Sequence, residues 1–107
     1  TTRGLRSLSE RHDLPVLVLE IGLPSARGAE HHPWQGPDPS AGAAPDLPLQ
    51  AAMLDAWLDH LDHAWVGGVL VWYWYSDPAG GGAQDVDFTV QNKPAEAVLR
   101  CRWGNQC

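Results

Sequence analysis

The sequence predicts an α/β fold built on a parallel sheet, and three observations predict it. Two short apolar segments rich in branched residues, 15–23 and 69–75, have the composition of strands buried on both faces. Helical patterns precede, separate and follow them, so the order is helix, strand, long loop, helix, strand, loop, helix. The segments after each strand are long, whereas the helix-to-strand connections, 11–14 and 64–68, are short. That asymmetry belongs to α/β enzymes whose site lies at the C-terminal ends of the strands. Composition alone does not separate a piece of a barrel from an open sheet.

Each element has a local reason. Residues 1–12 read as the end of a helix, with Leu5 and Leu8 three apart among charged neighbours. Asp13 leads into Pro15, and the residue before a proline is pushed towards extended geometry, so the helix stops there. Residues 15–23 run through Val16, Leu17, Val18, Leu19 and Ile21 with one charge, Glu20. Residues 24–46 hold Gly, Pro, Ser and Ala without periodicity and read as a loop, of a length that is usually functional or disordered. Asp46 suits an N-cap and Pro48 a first turn. In the helix that follows, Leu54, Trp57, Leu58, Leu61 and Trp65 share a face, with Asp55, Asp59 and Asp62 facing away. Gly67 and Gly68 break that pattern before the second strand, 69–75. Residues 77–87 form a Gly-rich loop, and a last helix covers about 93–103, with Pro94 at its start and Ala95, Val98 and Leu99 on one face.

Composition narrows the function. The net charge of −6 and pI of about 5.1 argue against a nucleic-acid partner, and no basic run could dock on an anionic membrane. No apolar stretch approaches the roughly 20 residues needed to cross a bilayer. Cys101 and Cys107 would close only a small terminal loop, and they lack metal-type spacing. The chain has six Trp, which serve either as core or, clustered at strand ends, as a stacking surface. His31 and His32 are adjacent and point different ways. His60 and His63 lie three apart beside Asp59 and Asp62, but no third ligand matches them, so a solvated acidic helix face is the favoured reading. Gly80, Gly81 and Gly82 lack the strand–helix context and the Lys of a phosphate loop and read as a flexible turn.

Glu20 is the most informative residue. It interrupts an apolar strand near its C-terminal end, where ionising a carboxylate is costly unless partners compensate. It either serves a site there or points outward into a salt bridge or loop cap.

The strings LPVLVLEIGLPS, LQAAMLDAWLDHL, GGVLVWYWYSD and DVDFTVQNKPAEAVL, in that order and with a PW in the first long loop, resemble the end of clan A glycoside hydrolases, most of all family 113, the β-mannanase type. The resemblance covers about residues 12–103. It implies that the chain is an incomplete (β/α)₈ TIM barrel, its strands being the seventh and eighth with flanking helices, since a whole barrel typically takes about 250 residues. All of residues 1–107 then form one partial glycoside hydrolase domain.

The resemblance also implies roles. Glu20 matches the nucleophile of a retaining mechanism, and Trp72 matches the aromatic floor of the subsite that holds the scissile sugar. Trp74, two residues on, shares a strand face with Trp72 because side chains alternate with period two, and it is a second candidate for that surface or for packing. Trp34 would add a sugar-stacking wall or simply cover the strand edge. The substrate would be a β-linked polysaccharide or oligosaccharide such as mannan, with no cofactor or metal. The acid/base Glu of the clan ends the fourth strand and has no counterpart here, and Asp77, Asp85 and Asp87 read as solvated loop acids. The isolated chain is therefore expected to be inactive and to self-associate through its strand edges. The rival expectation is a sugar-binding or interaction module without catalysis.

Overall fold

The computed structural model describes residues 1–38 and 42–107. Helix α1 (Thr2–His12) leads into strand β1 (Val16–Ile21), helix α2 (Leu47–His60) into strand β2 (Val66–Val71), and helix α3 (Pro94–Gly104) follows. The strands are parallel neighbours in a two-stranded sheet. Thr1 caps α1 by accepting from the Gly4 N–H, and Asp13 ends it in the left-handed conformation at φ 51°. Asp46 caps α2, its Oδ1 accepting from the Leu49 N–H at 3.1 Å.

One face of the sheet is covered and the other is open. Leu54 and Leu58 of α2, Ala95 of α3 and Val90 form the core, against which Ile21, Val69 and Val71 pack. Arg102 of α3 ties the two helices together through Asp55 (2.7 Å) and Asp59 (3.7 Å) of α2. On the opposite face Leu17, Leu19 and Leu70 are 58, 71 and 53% exposed. The apolar run of β1 had implied burial on both faces; here the helices cover only one.

Several expectations need correction. Gly67 and Gly68 do not break the chain before the strand but lie within β2, Gly68 paired with Leu17. A side chain at Gly67 would crowd Pro15 at 3.1 Å and Leu17 at 3.3 Å, so the glycine permits close strand approach. The strand ends at Val71, short of Tyr75. Trp65 lies beyond the end of α2 and stacks on His63, with ring centroids 5.1 Å apart. The loop 24–46, of which residues 39–41 lie outside the described residues, is not structureless. It contains a 3₁₀ turn, Ala29–His31, and its two ends are bridged by Arg27 N–H to Ala44 O and Asp46 N–H to Ser25 O. The turn at Gly80 is likewise pinned, the Asn92 amide donating to the carbonyls of Pro78 and Gly80. Cys101 and Cys107 are joined in a disulfide at the C-terminal end.

Candidate active site at the strand ends

The position of Glu20 follows from an irregularity in β1. Val18 pairs with Val69 and Ile21 with Val71, so two residues of β1, Leu19 and Glu20, stand opposite the single residue Leu70. Strict alternation would set Leu19 and Glu20 on opposite faces. The extra residue breaks that alternation, and both are exposed while Val18 and Ile21 on either side are half-buried. Glu20 thus stands exposed near the C-terminal end of β1. Its carboxylate makes no hydrogen bond or ion pair with the described residues.

The chain then passes close to Trp72. The Trp72 N–H donates to the Ile21 carbonyl at 2.7 Å, and a Cβ on Gly22 would run into the Trp72 carbonyl oxygen. Gly22 is thus the residue that lets the two strand ends meet. The Trp72–Tyr73 peptide bond is cis.

Glu20, Trp34, Trp72, Phe88, Trp57 and His60 are among the residues lining one cleft of about 530 Å³. Three of the four residues singled out from the sequence, Glu20, Trp34 and Trp72, are therefore brought together. Trp34 and Trp72 are 76 and 49% exposed, which leaves ring surface available. Trp74 is exposed but does not line this cleft; it lies three residues past the end of β2, where strand alternation no longer applies. Among the described residues Glu20 is the single acid lining the cleft.

Behind the cleft, the loops that follow the two strands are joined by a buried network that pattern reading did not find. The Lys93 ammonium, fully buried, donates to Ser25 Oγ (2.9 Å), Asp85 Oδ2 (2.6 Å) and the Asp87 carbonyl (3.1 Å). Burial lowers its pKa, against the opposing pull of Asp85. Ser25 in turn donates to the Asp85 carbonyl at 2.6 Å. The Gln50 amide, from α2, reaches the carbonyls of Leu23 and Phe88 at 3.1 and 3.0 Å. Gln91 accepts from the Tyr75 N–H at 2.6 Å and donates to the Asp77 carbonyl at 3.0 Å. A Lys beside a Pro at a helix start carries no sign of burial, because its three acceptors come from loops up to 68 residues away.

The loop acids are correspondingly not all solvated. Asp85 is paired with Lys93, and half-buried Asp87 accepts from the Phe88 N–H and, at 3.5 Å, from the Tyr75 hydroxyl. Asp77 is exposed and accepts from the Ala79 N–H. His60 is at the cleft, whereas His63 lies beyond the helix that was to carry both. Among the described residues no three His, Cys, Asp or Glu side chains are grouped to hold a metal, and no helix is long and apolar enough to cross a membrane.

A parallel pair of strands, helices on one face and a cleft at the strand C-termini fit a partial (β/α)₈ barrel, and the structures it matches place it in the glycoside hydrolase class. Solved structures agree. The chain superposes on the GH113 beta-mannanase AaManA from Alicyclobacillus acidocaldarius, determined in complex with ManMIm, with a TM-score of 0.82 and 26% identity, over 99% of this chain and 34% of that one. Two further structures of a GH113 beta-1,4-mannanase, one of them a complex, give TM-scores of 0.76 at 24 and 25% identity, over 92% of this chain and 32% of theirs. The chain thus spans about a third of the length of the mannanases it matches. No curated protein matches it. The family model of Glycoside Hydrolase Family 113 matches residues 1–93, and the chain belongs to that family.

Proposed function

We propose that this chain supplies the nucleophile and part of the sugar-binding surface of a retaining β-mannan hydrolase. The observation that carries the reading is Glu20 itself: an exposed carboxylate with no hydrogen bond or ion pair among the described residues, sharing a cleft with Trp34 and Trp72. The beta-mannanase activity named for the matched structures supports mannan as the substrate.

The chemistry assigns each group a task. The Glu20 carboxylate attacks the anomeric carbon, forming a glycosyl ester as the glycosidic C–O bond breaks. A second carboxyl group, about 5–5.5 Å away, protonates the departing oxygen and then takes a proton from the water that cleaves the ester. Trp72 and Trp34 offer flat apolar faces to the C–H faces of the pyranose rings. Glu20 is the single acid lining the cleft among the described residues, so in this reading the second carboxyl comes from another part of the barrel. The 107-residue chain by itself is therefore expected to bind sugar without turning it over, which is also what the non-catalytic reading expects.

The test uses this chain within a complete barrel, acting on β-1,4-mannan. Glu20→Gln should lower turnover by ~10³-fold or more, as loss of a covalent nucleophile does. Glu20→Ala should regain activity with azide and release a glycosyl azide of inverted configuration, while the unsubstituted protein releases product of retained configuration by NMR. Undiminished turnover in Glu20→Gln rules the assignment out. So does hydrolysis of mannan by the 107-residue chain alone that survives this substitution.

A further inference from the structure

The cleft does not end at Trp72. The Tyr73 ring packs edge-on against Trp72 (centroids 5.3 Å) and against Tyr75 (5.0 Å), and lies 6.1 Å from Phe88. Trp72 and Phe88 line the cleft, so the aromatic surface continues outward from it along Tyr73 to Tyr75. The surface ends in a polar group. The Tyr73 and Tyr75 hydroxyls are 2.7 Å apart, and the Tyr75 hydroxyl donates to Asp87 Oδ2 at 3.5 Å.

Three features suit this rim to a ligand rather than to packing alone. Its polar groups have spare capacity: Asp87 Oδ1 is engaged by the Phe88 N–H at 2.8 Å, whereas the contact of Oδ2 with the Tyr75 hydroxyl is long, at 3.5 Å. Its backbone is fixed from behind by buried side chains, Tyr75 by Gln91 and Asp87 by Lys93, so the contacts are preorganised. Its Tyr73 phenol stays neutral. Burial first, then the neighbouring Tyr75 hydroxyl and Asp87 carboxylate, push the Tyr73 phenol well above its ordinary pKa.

We propose that Tyr75 and Asp87 form a second pyranose subsite, next to the Trp72 platform, that takes a further residue of a neutral β-linked glycan. Asp87 Oδ2 accepts from a ring hydroxyl, the Tyr75 hydroxyl exchanges hydrogen bonds with its neighbour, and the Tyr75 ring carries the apolar sugar face. The carboxylate also sets specificity, because a uronic acid there would place two like charges together. This inference rests on the reading of Trp72 as a sugar platform.

The experiment measures binding of mannobiose and mannotetraose to the full chain by calorimetry, in the unsubstituted protein and in Tyr75→Phe, Asp87→Asn and Trp72→Ala. The two conservative variants keep ring and shape, and thermal melts verify that they fold. The expected result is a loss of about tenfold in tetraose affinity for Tyr75→Phe and Asp87→Asn, with biose affinity little changed. Trp72→Ala should weaken both ligands. Equal tetraose affinity in the unsubstituted chain and both conservative variants, with Trp72→Ala still impaired, overturns the second subsite and leaves the platform standing. Binding of both sugars that Trp72→Ala leaves intact, or no binding by the unsubstituted chain, overturns the platform and the subsite with it.

Discussion

Glu20 owes its place to two neighbours that do no chemistry. The doubled residue opposite Leu70 breaks the alternation and leaves both Leu19 and Glu20 exposed, and Gly22 lets the chain slip past the Trp72 carbonyl. Gly22→Ala would force those backbones apart. We expect a loss of about 1–3 kcal/mol in stability, the usual cost of overpacking, read by denaturant titration, with a shift in tryptophan emission as Trp72 moves. A variant as stable as the parent and with unchanged emission would show that the approach tolerates a methyl group. A charge interrupting an apolar run was readable as a candidate from the residues alone; the irregularity around it was not. Period-two alternation sets Glu20 with Val18 and apart from Leu19, and only the register against β2 reveals the doubled residue that interrupts it. Lys93 was unreadable for a different reason, since a long-range network leaves no local pattern.

The helices are specified near their ends. Asp46 was legible as a cap, and its replacement by Ala should cost about 1 kcal/mol in a chemical melt. At the start of α3, Glu96 Oε2 accepts from the Asn92 N–H at 2.7 Å while Oε1 meets Arg100 at 2.9 Å. The backbone N–H first, and Arg100 after it, hold the Glu96 carboxyl below its ordinary pKa, burial opposing them. A lowered carboxylate pKa contributes stability above the unfolded value and loses it as pH falls through the folded one. Glu96→Gln should therefore melt lower than the parent at pH 7, and the gap should close as the solution is acidified through that lowered value. A gap independent of pH would mean that the charge of Glu96 contributes nothing. The strands were less legible than the helices. A Gly-Gly pair reads as a breaker because glycine weakens a strand, yet both lie in β2, where Pro15 and Leu17 crowd the space a side chain at Gly67 would take. The long loop looked featureless for the same reason as Lys93: its bonds join its two ends and reach across to other loops.

For the molecule entire, the open face of the sheet governs behaviour. Leu17, Leu19 and Leu70 lie exposed on a two-stranded sheet with free edges, in a chain a third the length of its mannanase matches. Apolar faces and unpaired edges of this kind associate. The purified chain should sediment as concentration-dependent oligomers, and Leu19→Lys with Leu70→Lys should shift it towards monomer. A monomer at all concentrations, melting cooperatively, would overturn this. The α/β class, the order of elements and the resemblance were all available from the residues. The open face was not, because an apolar strand looks the same whether its second face is covered by this chain or by another part of a barrel.

The clamp across the base of the first long loop has an evolutionary consequence. Asp46 bonded to Ser25, and Arg27 to Ala44, close the loop below its tip, so the segment between can lengthen or shorten without disturbing Ser25, Lys93 or the strand that carries Glu20. Doubling such a segment adds only about 0.6 kcal/mol of closure entropy. Trp34 rides on that tip. Insertions and deletions there can therefore exchange Trp34 and its surroundings while Glu20 stays in register, a division of the polypeptide into one portion free to drift and one held constant.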